Sequence, residues 1–128
     1  MRLLLDTRIF LWLQTEPERL GEQLQTVSDV RNELFLSAAS SWEIAIKHGL
    51  GTLPLPAPPD RYVPQRMQAI GAVGVPVEHS HALAITRLPD LHRDPIDRLL
   101  VAQASVLELT LLTADPAVAQ YPLPTLLV

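Results

Sequence analysis

The sequence predicts an α/β fold in which a central, mainly parallel sheet of four to five strands is covered by helices on both faces, giving a three-layer sandwich. Short apolar runs of strand length alternate along the 128 residues with stretches whose apolar residues recur every three to four positions. Two of the runs, at residues 3–5 and 109–114, lead directly into an aspartate. Alternating strands and helices build parallel sheets whose two faces are both covered.

The first half of the chain predicts two strands and three helices. Pro17 lies near the start of the second helix, and Gly49 and Gly51 follow the third, as is typical of helix ends. The predicted strands are residues 3–5 and 34–36, and the predicted helices are residues 7–14, 17–32 and 40–48.

The second half continues the alternation after a proline-dense surface connection at residues 53–59. Pro76 cannot donate a hydrogen bond to a neighbouring strand, so the strand that contains it is expected at an edge of the sheet. The predicted helices are residues 60–70, 79–87 and 94–107, and the predicted strands are residues 73–77, 109–114 and 123–128.

Length and composition predict one domain over residues 1–128, with a proper core because 48% of the residues are hydrophobic. No apolar run approaches the roughly 20 residues that cross a bilayer, and the run after Met1 is too short for a signal peptide. We therefore expect a soluble, cytoplasmic protein that does not bind membranes. The absence of cysteine excludes disulfides and thiolate zinc sites.

Acidic residues recur at the ends of the predicted elements. Asp6 and Asp115 each end a strand, Glu43 lies in the first turn of a helix, and Asp94 and Asp97 lie in the first turn of another. The carboxyl ends of parallel strands meet at one edge of a sheet, so these acids are expected to converge there. Asp94 and Asp97 do so only if the connection that precedes their helix returns to that edge. Each acid alone also fits a helix cap. Convergent carboxylates repel unless a cation neutralises them, and Mg²⁺ or Mn²⁺ prefers such oxygen ligands.

The formal charge of −4 argues at first against a nucleic-acid partner, since phosphate affinity comes largely from Lys and Arg. Setting the five acids aside leaves nine acids against ten basic residues. Divalent cations on the acids would make the local field attractive to phosphate, so the overall charge does not exclude RNA.

Four stretches together resemble the PIN domain family, in an order and length similar to the VapC-type toxins of bacterial toxin–antitoxin pairs. The resemblance covers essentially the whole chain. Arg8 stands where this branch often has His, and Ile96 where it often has Phe. The four stretches are LLLDT at residues 3–7, SSWEIAIK at 40–47, HRDPIDRLLVAQA at 92–104 and LTAD at 112–115.

The resemblance implies a hydrolase, a metal-dependent ribonuclease that uses one or two Mg²⁺ or Mn²⁺ ions. It also implies a cognate antitoxin protein and a homodimer. Weaker expectations are that Arg93, Arg98 and Thr7 contact the RNA substrate, and that Thr7 and Thr113 orient the acids. The acids that correspond to the family's catalytic and metal-binding positions are Asp6, Glu43, Asp97 and Asp115, with Asp94 as a further ligand or a cap.

Two other classes of protein are weighed against this one. A phosphoryl-accepting receiver or phosphatase module would need a second acid beside the strand-end aspartate or a lysine at a late strand end, and neither is present. A metal-free interaction scaffold of the same fold stays open. In that protein the acids cap helices, and the acidic cleft binds a basic segment of a partner.

Overall fold

The computed structural model describes residues 1–128 and has five strands and six α-helices. The strands are β1 (Arg2–Leu5), β2 (Glu33–Ser37), β3 (Ala72–Val75), β4 (Thr110–Thr113) and β5 (Thr125–Leu127). The helices are α1 (Thr7–Thr15), α2 (Gln23–Ser28), α3 (Ala38–Gly49), α4 (Pro59–Ile70), α5 (His79–Ala84) and α6 (Pro95–Leu107). Short 3-10 turns occupy Pro17–Leu20, Ile85–Arg87 and Val118–Gln120.

All five strands are parallel and lie in the order β3-β2-β1-β4-β5, which confirms the predicted fold class. The central strand, β1, pairs with β2 on one side and β4 on the other, so Leu4 lies between Phe35 and Leu111. The edge position predicted for the strand near Pro76 is also confirmed, although β3 ends at Val75, before the proline.

The core has two layers because successive side chains of a strand point to opposite faces. Leu3 and Leu5 pack on one face with Phe10 of α1, and Leu4 packs on the other face with Leu100 of α6. The three leucines of β1 are fully buried. A strand buried on both faces reads as a continuous apolar run, and this explains the sequence from which β1 was predicted.

Two predicted helix boundaries are wrong. The helix expected at residues 17–32 is split at Gly21, whose φ of +55° interrupts helical geometry between a 3-10 turn and α2. The helix expected to begin at Ser40 begins at Ala38 instead, since the Ser37 hydroxyl accepts the Ala39 N–H at 3.0 Å and caps it.

No helix of the structure combines the length and the apolar character needed to cross a bilayer.

Candidate active site

All five acids singled out in the sequence line one cleft of about 310 Å³ at the carboxyl edge of the sheet. The elements that bring them there are the ends of β1 and β4 and the first half of α3 and of α6. Arg8 and Lys47 are the only basic residues among the twelve that line the cleft. The remaining lining residues are Thr7, Leu11, Ile44, Thr52 and Leu53.

Asp6 joins β1 to α1 and is nearly buried, with 8% of its surface exposed. One carboxylate oxygen accepts the Ile9 N–H at 2.8 Å, so Asp6 is the N-cap of α1. Burial raises the pKa of Asp6, while the Thr113 hydroxyl and the N–H groups of Ile9 and Ala114 oppose the rise. Capping engages one oxygen, and the residue still lines the cleft.

Glu43 lies in the second turn of α3, because the helix begins at Ala38. The capping-box interpretation of Ser40 and Glu43 is therefore wrong: Ser40 is inside the helix, and its Oγ accepts the Thr7 hydroxyl at 3.0 Å. The Glu43 carboxylate is 8% exposed and lies 2.9 Å from Lys47 Nζ. With no capping role, Glu43 is a buried acid that faces the cleft.

Asp94 is the N-cap of α6. One of its oxygens accepts the N–H groups of Ile96 and Asp97, both at 2.9 Å. The capping role, one of the two roles predicted for Asp94, is therefore confirmed. The other carboxylate oxygen of Asp94 has no backbone partner.

Asp97 is the acid whose pKa the neighbouring carboxylates raise most clearly. Burial, followed by the charge of Asp94, raises its pKa to about 6, and the charges of Asp6 and Glu43 add to the rise. The charge of His92 opposes it. Charges from three separate parts of the chain, those of Asp6, Glu43 and Asp94, therefore act on the Asp97 carboxyl.

Asp115 follows β4 and closes a turn, since its Oδ1 accepts the Ala117 N–H at 2.9 Å. The residue does not cap an α-helix, because only a 3-10 turn follows. Burial tends to raise the pKa of Asp115, but hydrogen bonds from Ala117 and His92 and the charges of His92 and Arg8 outweigh it and hold this pKa below its usual value.

His92 lies between two of the acids and was not among the predicted site residues. Its Nε2 is 2.8 Å from Oδ2 of Asp115 and 3.1 Å from Oδ2 of Asp97. The Asp94 N–H donates to its Nδ1 at 3.1 Å, which assigns the ring proton to Nε2. A metal-binding histidine normally donates its second ring N–H to a partner, so His92 is better suited to donate to the acids than to bind a metal.

The donor set fits a hard divalent cation. Ligand atoms of His92, Asp97 and Asp115 lie within 4.8 Å of one another. The two carboxylates supply the oxygens that Mg²⁺ and Mn²⁺ prefer, and Asp6 and Glu43 line the same cleft.

The three residues expected to contact RNA take different positions. Thr7 lines the cleft, but it is buried, and its hydroxyl donates to Ser40. Arg93 is exposed and does not line the cleft. Arg98 lies outside the cleft, and its guanidinium donates to the carbonyl groups of Pro89 and Ile85 and to the Tyr121 hydroxyl. These bonds give Arg98 a bracing position within the fold.

Comparison with known proteins gives a family match over nearly the whole chain. The model of the PIN domain matches residues 3–123. Ribonuclease VapC16 of Mycobacterium tuberculosis is 48% identical over 64 residues, which are 50% of this chain and 45% of the relative. The matched stretch thus spans less than half the length of that relative.

Three solved structures share the fold at low identity. A structure of VapBC2 from Rickettsia felis bound to a promoter DNA fragment has a TM-score of 0.75 at 14% identity and covers 100% of this chain and 99% of its own. FitAcB from Neisseria gonorrhoeae has a TM-score of 0.61 at 17% identity, covering 96% and 95%. VapBC-1 from nontypeable Haemophilus influenzae has a TM-score of 0.60 at 16% identity, covering 99% and 98%.

Proposed function

The chain belongs to the PIN domain family, and from that membership and the acidic cleft we propose that it is a metal-dependent ribonuclease. The reaction is the hydrolysis of RNA phosphodiester bonds, carried out by residues 1–128 as one domain. The observation that carries the proposal is the cleft shared by five carboxylates, among which the pKa of Asp97 is raised to about 6. Capping alone does not account for this arrangement, because Glu43 lies beyond the first turn of α3.

Asp6, Glu43, Asp97 and Asp115 are the residues that would hold Mg²⁺ or Mn²⁺, and Asp94 would add an oxygen from beside them. A bound divalent cation lowers the pKa of its water and stabilises charge on the leaving oxygen of a phosphodiester. The protein fixes the acids: β1 and β4 hold Asp6 and Asp115, and the Thr7 hydroxyl ties α1 to α3 through Ser40.

Contacts with neighbouring side chains orient the carboxylates before any cation binds. The Thr113 hydroxyl helps to hold down the pKa of Asp6, and His92 Nε2 donates to Asp115 and lies 3.1 Å from Asp97. Asp6 and Glu43, which are both nearly buried, are the acids that water screens least. Arg93 stays a candidate RNA contact on the exposed side of the Asp94 turn.

The biological role we propose is that of the toxin in a bacterial toxin–antitoxin pair. The resemblance to VapC-type toxins supports a cytoplasmic protein with a cognate antitoxin and a homodimeric assembly. Trp42 and Ile46 of α3 and Leu50 directly after it are exposed apolar residues that recur every four positions and form a surface that a protein partner could cover.

The alternative is a non-catalytic scaffold whose acidic cleft binds a basic segment of a partner. The observation in its favour is that Asp6 and Asp94 both cap helices. A scaffold would bind the segment without a metal ion, and it would leave RNA intact.

Calorimetric titration with Mn²⁺, followed by an RNA cleavage assay in the same buffer, distinguishes the ribonuclease from the scaffold. Asp6→Asn and Asp97→Asn remove charge from distant parts of the chain, and asparagine preserves the cap of α1. We expect each to weaken Mn²⁺ binding at least tenfold and cleavage about a hundredfold, as loss of a metal-site residue typically does. Asp60→Asn, an exposed acid outside the cleft, is the matched control. Absence of Mn²⁺ binding, Mg²⁺ binding and cleavage in the unmodified protein would favour the scaffold.

A further inference from the structure

Two cations face the acidic cleft from different helices. Arg8 lies in the first turn of α1, and Lys47 lies in the last turn of α3. Every other charged residue that lines the cleft is an acid. An RNA strand that enters the cleft therefore meets these two side chains as the positive groups of its lining.

Arg8 faces the acids without pairing with any of them. Its guanidinium makes no hydrogen bond or salt bridge, and it is exposed and lies 6.0 Å from the centroid of the Trp12 ring. At this distance the ring attracts the guanidinium only weakly, and its N–H donors stay free. Five donors are thus available at the cleft for an anion that is not part of the protein.

Lys47 is paired with Glu43 and remains accessible to water. Its Nζ lies 2.9 Å from the carboxylate of Glu43 four residues before it, and the lysine side chain is 54% exposed while that of Glu43 is 10% exposed. Because the ammonium group is on the water-accessible side of the pair, it can turn away from Glu43 while staying hydrated. A divalent cation on Glu43 would neutralise the carboxylate and repel the ammonium group, which would release Lys47 toward the cleft mouth.

Phosphate groups of RNA are the anions that these two side chains suit. The planar fork of arginine can give two parallel hydrogen bonds to a phosphate, and lysine supplies a compact point charge. Metal ions on the acids compensate the carboxylates, while the phosphates beside the cleaved bond still need positive partners.

We propose that Arg8 and Lys47 form a phosphate-binding pair at the cleft, and that Lys47 exchanges Glu43 for RNA phosphate when Glu43 takes up a metal ion. This inference rests on the proposed function and adds the residues that hold its substrate.

The first test measures binding of a fluorescein-labelled single-stranded RNA by anisotropy across a salt series. Asp97→Asn is present in every protein so that the RNA stays intact, and Mn²⁺ is present at a concentration that saturates this variant. Arg8→Gln and Lys47→Met should each weaken binding about tenfold, the loss expected for a charged hydrogen bond. Each should also reduce the slope of log affinity against log salt by about 0.7, the value for one phosphate contact on a single strand.

Arg2→Gln is the matched control. Arg2 also lies over an aromatic ring, 5.4 Å from the centroid of Phe35, but at the start of β1, the opposite edge of the sheet from the cleft. It should leave affinity and slope unchanged. Equal losses in Arg2→Gln and Arg8→Gln would mean that only net charge matters, and the phosphate-binding pair would be rejected.

The second test uses Mn²⁺ alone, without RNA. Lys47→Met, in the otherwise unmodified protein, removes the competitor for Glu43 and should bind Mn²⁺ about twofold more tightly, the factor that corresponds to a weak helical pair. Weaker Mn²⁺ binding would overturn the proposed exchange of Lys47 from Glu43 to phosphate.

If the unmodified protein cleaves RNA but Arg8→Gln and Lys47→Met bind RNA normally, this inference fails and the proposed function stands. If no RNA is cleaved with Mn²⁺ or Mg²⁺, the proposed function fails.

Discussion

The Nε2 atom of His92 lies 2.8 Å from Oδ2 of Asp115. The same atom is 3.1 Å from Oδ2 of Asp97, so one ring proton faces two carboxylates that come from different elements. In the protein without metal, His92 partly compensates the charges that a divalent cation would neutralise. A metal ion that binds these carboxylates therefore competes with a proton, and the first prediction follows from that competition.

Metal affinity should rise with pH across the range in which Asp97 loses its proton. Burial and the neighbouring acids raise the pKa of Asp97 to about 6, so below this value the metal ion must displace a proton. Mn²⁺ affinity should rise about tenfold per unit of pH up to about pH 6, and level off above about pH 7. Calorimetry across this range measures it, and a constant affinity would contradict the prediction.

Asp97→Asn should stabilise the metal-free protein at neutral pH. The folded-state pKa of about 6 lies above the ordinary 3.8, so the stabilising contribution of Asp97 is complete below the ordinary value and is lost as pH rises through about 6. Solvent reaches this carboxylate, so we expect a gain of only about 1 kcal/mol at pH 7. Urea unfolding with a chelator measures it.

Whether Asp97→Asn raises or lowers the free energy of unfolding should depend on pH and on bound metal. At about pH 3, below the ordinary pKa of 3.8, the two proteins should approach equal stability, because Asp97 is then mostly protonated in both states. With saturating Mn²⁺ the unmodified protein should become the more stable of the two, since it binds the ion more tightly. A variant less stable than the unmodified protein at pH 7 with chelator would contradict this account.

His92→Ala should destabilise the metal-free protein at pH 7. The change removes the hydrogen bond to Asp115 and the contact with Asp97 at 3.1 Å, which should lower the free energy of unfolding by about 1–3 kcal/mol. His92→Gln, which keeps an N–H donor, should recover part of the loss. Thermal unfolding with and without Mn²⁺ is the measurement. We expect Mn²⁺ to stabilise His92→Ala more than the unmodified protein, and equal metal-free stabilities would rule out this role of His92.

Arg98→Met should destabilise the fold and leave RNA affinity unchanged. Methionine keeps much of the apolar stem but removes the hydrogen bonds to Pro89, Ile85 and Tyr121, at a cost of about 1–3 kcal/mol. Urea unfolding and RNA anisotropy together measure both effects. Weaker RNA binding with unchanged stability would support the contact with substrate that the sequence suggested.

The fold and the acids of the cleft were predictable because local signals and topology agree. A buried parallel strand has to be apolar on both faces, so Leu3, Leu4 and Leu5 could be assigned without knowing their partners. The acids Asp6 and Asp115 directly follow such strands, and the carboxyl ends of parallel strands share an edge. Their common location therefore followed from the alternation of elements.

Some helix boundaries and the role of His92 could not be predicted, because the sequence is compatible with more than one arrangement. Ser37, Ser40 and Ser41 are all acceptable caps, and only packing selects Ser37 as the first turn of α3 docks on the sheet. Gly21 splits a helix through a positive φ that composition does not reveal. His92 gave no spacing signal of its own. The hint was its place two residues before the Asp94 cap, and its contact with Asp115 joins positions 23 residues apart.

The position of β1 in the middle of the sheet also affects how the protein is made. Its register sets Leu3 opposite both Leu34 and Thr110, so the strand translated first has one partner that is translated much later. Asp6, Glu43 and Asp97 all leave the ribosome before β4 and Asp115. Contacts this distant in sequence form late in folding because closing a long loop costs entropy. The cleft is thus completed only after β4 has been translated, when the other four acids have already left the ribosome.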